Sequence, residues 1–321
     1  MNTKWNEVIG EDGKTVLDYA ELMYKTGAPR RTIVAELNEL LVNKGLMPTI
    51  TYAALDTKIK VNKWAACDRI NYLESINLTE KYVYKTKITS KCITVCNDLH
   101  IPFYKEKLLD KMLKVSEKFE SNDLAVIGDL VDLTMISRFE NTKVQQTLSQ
   151  EFRLAARILD VLFEQFDTVY WCMGNHDVRF SKLTDGNFEP TDMGNIINRM
   201  VDGKRLNVIP YRHMEVNDKW RLTHPGSYSR IPPQVERRLA EKFHKHIIGS
   251  HGHLFGISTD ISGDYITAQV GGLVDREKVW YRQETDTTHP EWVPGFWIIK
   301  NDVLYPFIDH PNLTDWDFWL K

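Results

Sequence analysis

Residues 92–100 read Cys-Ile-Thr-Val-Cys-Asn-Asp-Leu-His. An apolar run of strand length ends in a carboxylate, Asp98, and an imidazole, His100. The same pattern recurs down the chain. Residues 124–127 lead into Gly128-Asp129-Leu130-Val131-Asp132, and residues 168–172 into Gly174-Asn175-His176-Asp177. Residues 220–223 end in His224, and Ile247-Ile248-Gly249-Ser250 ends in His251-Gly252-His253. Between the first two runs, Leu108, Met112, Val115 and Phe119 keep helical spacing; between the next two, Ala155, Leu159, Leu162 and Phe166 do the same. Alternating strands and amphipathic helices predict an α/β domain with buried sheets. In such sheets ligand sites gather at the carboxyl ends of strands. Any one ending is weak evidence, because a single buried His is more often a hydrogen-bonded core residue than a ligand. The set is strong: five of the ten histidines sit in these five endings, and buried charges require partners or metals.

Upstream, the texture is different. Val16, Leu17, Ala20 and Met23 share a helix face, Gly27-Ala28-Pro29 breaks it, and residues 32–41 resume the spacing. Pro48-Thr49 opens a further helix through Lys60, and 64–73 reads as helical. Residues 1–88 are therefore expected to form an all-α domain, and 89–321 the α/β domain. Residues 18–36 resemble a helix-turn-helix. Residues 1–80 carry 10 Lys plus Arg against 11 Asp plus Glu, less basic than a dedicated DNA-binding domain.

The composition is globular, with 42% hydrophobic and 26% charged residues and a net charge of −3, so the chain as a whole is not a basic nucleic-acid binder. Its 321 residues suit about two domains of ~150. Four cysteines form no CxxC pair. The first residues lack the apolar core of a signal peptide, and no run approaches the ~18 apolar residues of a membrane span. The expectation is a cytoplasmic protein with reduced thiols and no membrane partner.

In order, the five endings resemble the calcineurin-like metallophosphoesterase superfamily, whose pattern is DxH, GDxxD, GNH followed by Asp or Glu, a lone His, and GHxH. The resemblance covers about residues 90–310. It implies a four-layer α/β/β/α sandwich, here preceded by a small all-α domain. It also implies two divalent metal ions, manganese first, with iron, zinc, nickel and cobalt as alternatives. Asp98, His100 and His253 would hold one ion, Asn175, His224 and His251 the other, and Asp129 would bridge them. Carboxylate, amide and imidazole donors suit such ions, and no thiolate is present to favour structural zinc. By the same resemblance a metal-bound hydroxide attacks in line and His176 assists the leaving oxygen. Asp177 and Asp132 would orient histidines, and Arg179 would touch substrate phosphate.

Two departures matter. Ser250 replaces the usual Gly of the last motif, a change expected to affect turn geometry more than ligand count. Leu133 stands where the protein Ser/Thr phosphatase branch usually has an Arg. With Asp177 after GNH and two His in the last motif, the chain looks more like the phosphodiesterase and nuclease branches, including compact phage-type members. The expected function is hydrolysis of phosphodiesters in nucleic acid or nucleotides, DNA among them. The alternatives are a phosphomonoesterase acting on proteins or small molecules, and a non-catalytic scaffold on the same fold. Residues 178–211 carry no expected ligand and read as a substrate-side insertion. The Trp-rich end reads as packing, with the 271–297 region completing the second sheet.

Overall fold

The computed structural model of the chain describes residues 4–9, 12–64, 86–137, 146–279 and 291–321. The run that opens the pattern is a central strand, β2 (Cys92–Cys96). Beside it lie β3 (Asp123–Ile127), β4 (Thr168–Cys172) and β5 (Asn207–Ile209), all parallel. On the other side of β2, β11 (Gly295–Lys300) and β12 (Val303–Ile308) add in antiparallel fashion. The sheet order is β12-β11-β2-β3-β4-β5. Register pairs Cys96 with Val126 and Ile127 with Cys172, so the loops bearing Asp98, Asp129 and Asn175 leave the sheet at one edge.

A second sheet has the order β1-β6-β7-β8-β10-β9. Its strands are β1 (Lys87–Ile88), β6 (His213–Val216), β7 (Trp220–Thr223), β8 (His246–Gly249), β9 (Gly256–Thr259) and β10 (Ile266–Gln269). The parallel β7–β8 pair delivers His224 and His251 from adjacent strands.

Strand periodicity sorts the side chains into two cores. Ile93, Val95, Ala125, Ile127 and Cys172 face the second sheet and pack with Val216, Trp220, Leu222, Ile248 and Ala268. Cys96, Leu124, Val126, Val169 and Trp171 face the other way. There they meet α4 (Glu106–Lys118) through Leu108, Met112 and Val115, and α5 (Leu148–Gln165) through Phe152, Ala155, Leu159 and Leu162. Thr147 and Gln150 form a capping box that starts α5. α8 (Gln234–Phe243) lies on the outer face of the second sheet, against β8 and β10. The layers run helix, sheet, sheet, helix. Truncating a fully buried side chain such as Leu159 is expected to cost about 2–5 kcal/mol.

The N-terminal unit comprises α1 (Val16–Lys25), α2 (Arg30–Asn43) and α3 (Tyr52–Val61). Thr15 and Asp18 form a capping box on α1, and Gly27 takes φ +91° in the turn to α2. Val16, Ala20, Ile33, Leu37, Leu41 and Leu55 make its core. α3 starts at Tyr52 rather than at Pro48, because the Thr51 hydroxyl accepts from the Ala54 N–H and caps it. The helix expected over 64–73 lies, from residue 65 onward, outside the described residues. Contact density divides the chain into Met1–Val83 and Tyr84–Lys321.

Two expectations change. Residues 178–211 are more than an insertion: besides α6 (Arg179–Leu183) they hold α7 (Pro190–Asn198), whose Met193 and Ile197 enter the core, and the sheet strand β5. The closing strands β11 and β12 extend the sheet that carries the first three motifs, not the second one. The Trp-rich end mostly packs, as expected: Trp297 is fully buried, and Trp316 and Trp319 lie against the helix-side core.

Candidate metal centre

Five of the site residues hold left-handed backbone despite carrying side chains: Asp98 (φ 48°), His100 (45°), Asp129 (51°), His251 (78°) and His253 (54°). Such conformations cost about 1–3 kcal/mol each and persist where the surroundings enforce them. Here the enforcement is a lattice of backbone bonds between the strand-end loops. Asp98 N donates to Gly128 O (3.0 Å), and His100 N to Asp129 O (2.9 Å). Asp177 completes the lattice: its carboxylate accepts from Asp129 N (2.7 Å), Gly174 N (2.7 Å) and the Trp171 indole (3.3 Å).

The sequence-predicted ligands converge. Donor atoms of Asp98, His100 and His253 lie within 4.8 Å of one another, as do those of Asp129, His224 and His251. Asp129 Oδ2 stands between the groups, 3.8 Å from His100 Nε2 and 3.4 Å from His224 Nε2. Asn175 Oδ1 joins the second group, 2.7 Å from His224 Nε2. Buried Asp98 Oδ1, His100 Nε2 and His253 Nδ1 have no hydrogen-bond partner. Several electron-rich atoms buried together without donors are costly, and a divalent cation in each group would relieve that cost. Burial, then the neighbouring charge of Asp129, pushes the Asp98 carboxyl up to about 7. The residues fit the implied ions.

The surrounding shell is specific. His100 Nδ1 lies 2.9 Å from Asp132 Oδ1, which leaves Nε2 for the first group. His176 Nδ1 reaches the same carboxylate oxygen at 2.9 Å, and the Thr134 hydroxyl donates to its partner oxygen. These three residues also form a compact His-Asp-His group, but its short contacts are hydrogen bonds. Burial opposes protonation of His176; Asp129 and Asp132 outweigh it and raise its pKa.

Asp132 thus contacts two histidines. Asp177 differs from expectation: it holds backbone N–H groups and an indole. Arg179 differs too. Its guanidinium donates to Asp132 O (2.7 Å) and to His176 Nε2 (3.0 Å), so it is turned onto the histidine expected to do chemistry.

The family pattern of calcineurin-like phosphoesterases matches residues 93–274. The chain belongs to that family. Comparison with curated proteins gives no match. Among solved structures, this phosphoesterase is similar to YfcE, a phosphoesterase from E. coli (12% identity, 66% of this chain and 90% of that one, TM-score 0.35). It is also similar to Vps29 from Chaetomium thermophilum (15%, 70% and 93%, 0.38) and to the nuclease MPE from Pseudomonas putida (11%, 67% and 87%, 0.27). Among the described residues of the phosphoesterase no helix is long and apolar enough to cross a membrane.

Three contributors were not among the sequence candidates. Trp292 stacks on His253 at 4.2 Å and 25°, walling the first group. The Tyr228 ring meets His251 edge-on at 5.9 Å. The Arg212 carbonyl accepts from His224 N at 2.9 Å, and its cation depresses the basicity of His251 behind the effects of burial. None lies in a motif, so spacing alone offered no signal; only the clustering of tryptophans hinted at Trp292.

Proposed function

We propose that this phosphoesterase is a two-metal phosphodiesterase acting on nucleic acid or nucleotides. The observation that carries the reading is the shared carboxylate: Asp129 Oδ2 faces both donor groups, at 3.8 and 3.4 Å. Asp98, His100 and His253 would hold one ion, and Asn175, His224 and His251 the other. Bound divalent ions supply Lewis-acid polarisation of the phosphoryl group and an acidified water.

The chain supplies the rest. Asp132 pins His176 through Nδ1 and leaves Nε2 to face the leaving oxygen. Freed from Arg179, Nε2 takes a proton from solvent, favoured by Asp129 and Asp132, and passes it to that oxygen. Arg179 covers that nitrogen at 3.0 Å; an entering phosphate offers the guanidinium a better acceptor and frees the imidazole. Two features support a diester over a phosphoprotein. Leu133, where the protein phosphatase branch carries an Arg, is fully buried, with its N–H on Glu151 at 2.5 Å. Both His251 and His253 are in place. The helix–turn–helix order of α1 and α2 supports a nucleic-acid substrate.

The test compares labelled single- and double-stranded DNA, bis-p-nitrophenyl phosphate and p-nitrophenyl phosphate in Mn²⁺, with His176→Ala as control. The expected result is diester and DNA cleavage that vanishes in the control. Faster turnover of the monoester would overturn the reading.

A further inference from the structure

The change of Gly to Ser at position 250 has a chemical consequence beyond turn shape. We propose that Ser250 is a positioning residue that fixes the tautomer of His224 and so aims its Nε2 at the second metal position. The proposal rests on the two-metal reading.

Ser250 is fully buried. Its hydroxyl donates to the Ile127 carbonyl at 2.9 Å, and the same oxygen lies 2.9 Å from His224 Nδ1. A serine hydroxyl has one proton and two acceptor lone pairs. With its proton on the carbonyl, the oxygen can only accept from the ring, so Nδ1 carries the hydrogen. The neutral imidazole then has its lone pair on Nε2. That nitrogen faces Asn175 Oδ1 at 2.7 Å and Asp129 Oδ2 at 3.4 Å. In this tautomer the Nε2 lone pair, Asn175 Oδ1 and Asp129 Oδ2 are three donors for one cation, whereas in the other tautomer Nε2–H is spent as a hydrogen bond on Asn175 Oδ1.

The opposite hydroxyl orientation would donate to Nδ1, place the ring proton on Nε2 and spend it on Asn175. Asn175 Oδ1 draws the ring proton to Nε2 and Ser250 draws it to Nδ1, the serine proton being held on the Ile127 carbonyl at 2.9 Å with the Thr223 carbonyl a longer 3.4 Å away. The direct route from Nδ1 to the Ile127 carbonyl is longer, 3.3 Å. The ring cannot slide to shorten it, since it packs so closely on Gly128 that a β-carbon there would overlap it. The His224 backbone is tied as well, its N–H bonded to Arg212 O at 2.9 Å. Ile127, Ser250 and His224 therefore link the ends of β3, β8 and β7 into one support.

The experiment uses the full chain. Histidine ¹⁵N NMR on metal-free protein reads the His224 tautomer, with the signal assigned by its loss in His224→Gln. Calorimetric titration with Mn²⁺ reads each metal's affinity. Wild type is expected to show Nδ1–H. Ser250→Ala is expected to show mixed tautomers and about tenfold weaker binding of one ion, the other unchanged. Ser250→Gly carries the same expectation should the alanine variant fail to fold, and Ser250→Thr, which keeps the hydroxyl, is expected to restore the wild-type tautomer. Nε2–H in wild type, or unchanged tautomer and affinities in both Ala and Gly variants, would overturn the proposal. A wild type that takes up no metal would instead sink the two-metal reading, and the tautomer of the metal-free protein would still decide the Ser250 contact.

Discussion

His176 and Asp129 divide the chemistry between them, and substitution separates their roles. His176 touches no atom of either donor group through a ring nitrogen; Asp132 and Arg179 occupy both nitrogens. His176→Ala should therefore keep metal uptake and lose turnover on the order of 10²–10⁴-fold, the usual worth of a placed acid. Asp129→Asn should lose metal and activity together, because one oxygen serves both groups while the other accepts the His176 N–H at 2.8 Å. Full metal content and rate in that variant would sink the bridging assignment. A third residue makes the same point sterically. A β-carbon on Gly174 would overlap the Asp129 carboxylate, so Gly174→Ala should empty the site while far-UV circular dichroism stays native. The residue types of this site were readable from the sequence, since Asp, Asn and His stand at five strand ends. Their neighbours were less so. Asp177 looked like a partner for histidine and proved a clamp on N–H groups, a distinction that depends on loop backbone no motif spacing encodes. The positive φ of His100 and His253 is equally silent in the sequence.

At the scale of elements, visibility followed burial. β2, β3 and β4 are covered on both faces, so they read as continuous apolar runs. The helices α4 and α5 bury one stripe each and show the 3.6-residue period. The outer strands β1, β5 and β9 are short and carry polar or exposed positions, and nothing in their composition separates them from loops. One buried carboxylate on α8 yields a test at this scale. Glu236 is 1% exposed and accepts from Gln269 Nε2 at 3.1 Å. Gln269 also donates to Ser250 O at 3.2 Å, so the helix is tied to the last motif loop. Burial pushes the Glu236 carboxyl from 4.5 up to about 7. A raised acid contributes stability that is complete below its unfolded pKa and is lost as pH rises through the folded one. Between pH 5 and 8 the wild type should thus lose stability that Glu236→Gln retains, on the order of 3 kcal/mol at full ionisation. Thermal melts across that range check it. A wild type whose stability does not fall relative to Glu236→Gln as pH rises would show that the carboxyl ionises freely in the fold.

For the molecule as a whole, the two contact units have different claims on metal. Every candidate ligand lies in Tyr84–Lys321, whose cores are built around the two sheets. The unit Met1–Val83 has its own core, with Trp5, Ile33, Leu37 and Leu55 buried in it. Metal that binds only the folded state stabilises it by RT ln(1 + [L]/Kd), about 2.7 kcal/mol at a hundredfold excess over Kd. For a domain of this size that is a shift of about 5–10 °C. Calorimetry should therefore resolve two transitions. Adding Mn²⁺ to chelator-treated protein should raise the one belonging to the sheet-bearing unit by that amount and leave the helical unit's melting temperature unchanged. His176→Ala should show the same metal-dependent rise, because it keeps the donors, and Asp129→Asn should not. A single transition that moves as a whole would mean the two cores unfold as one cooperative body. Its failure to move at all would remove the metals, and with them the reading of Asp129 as a bridge.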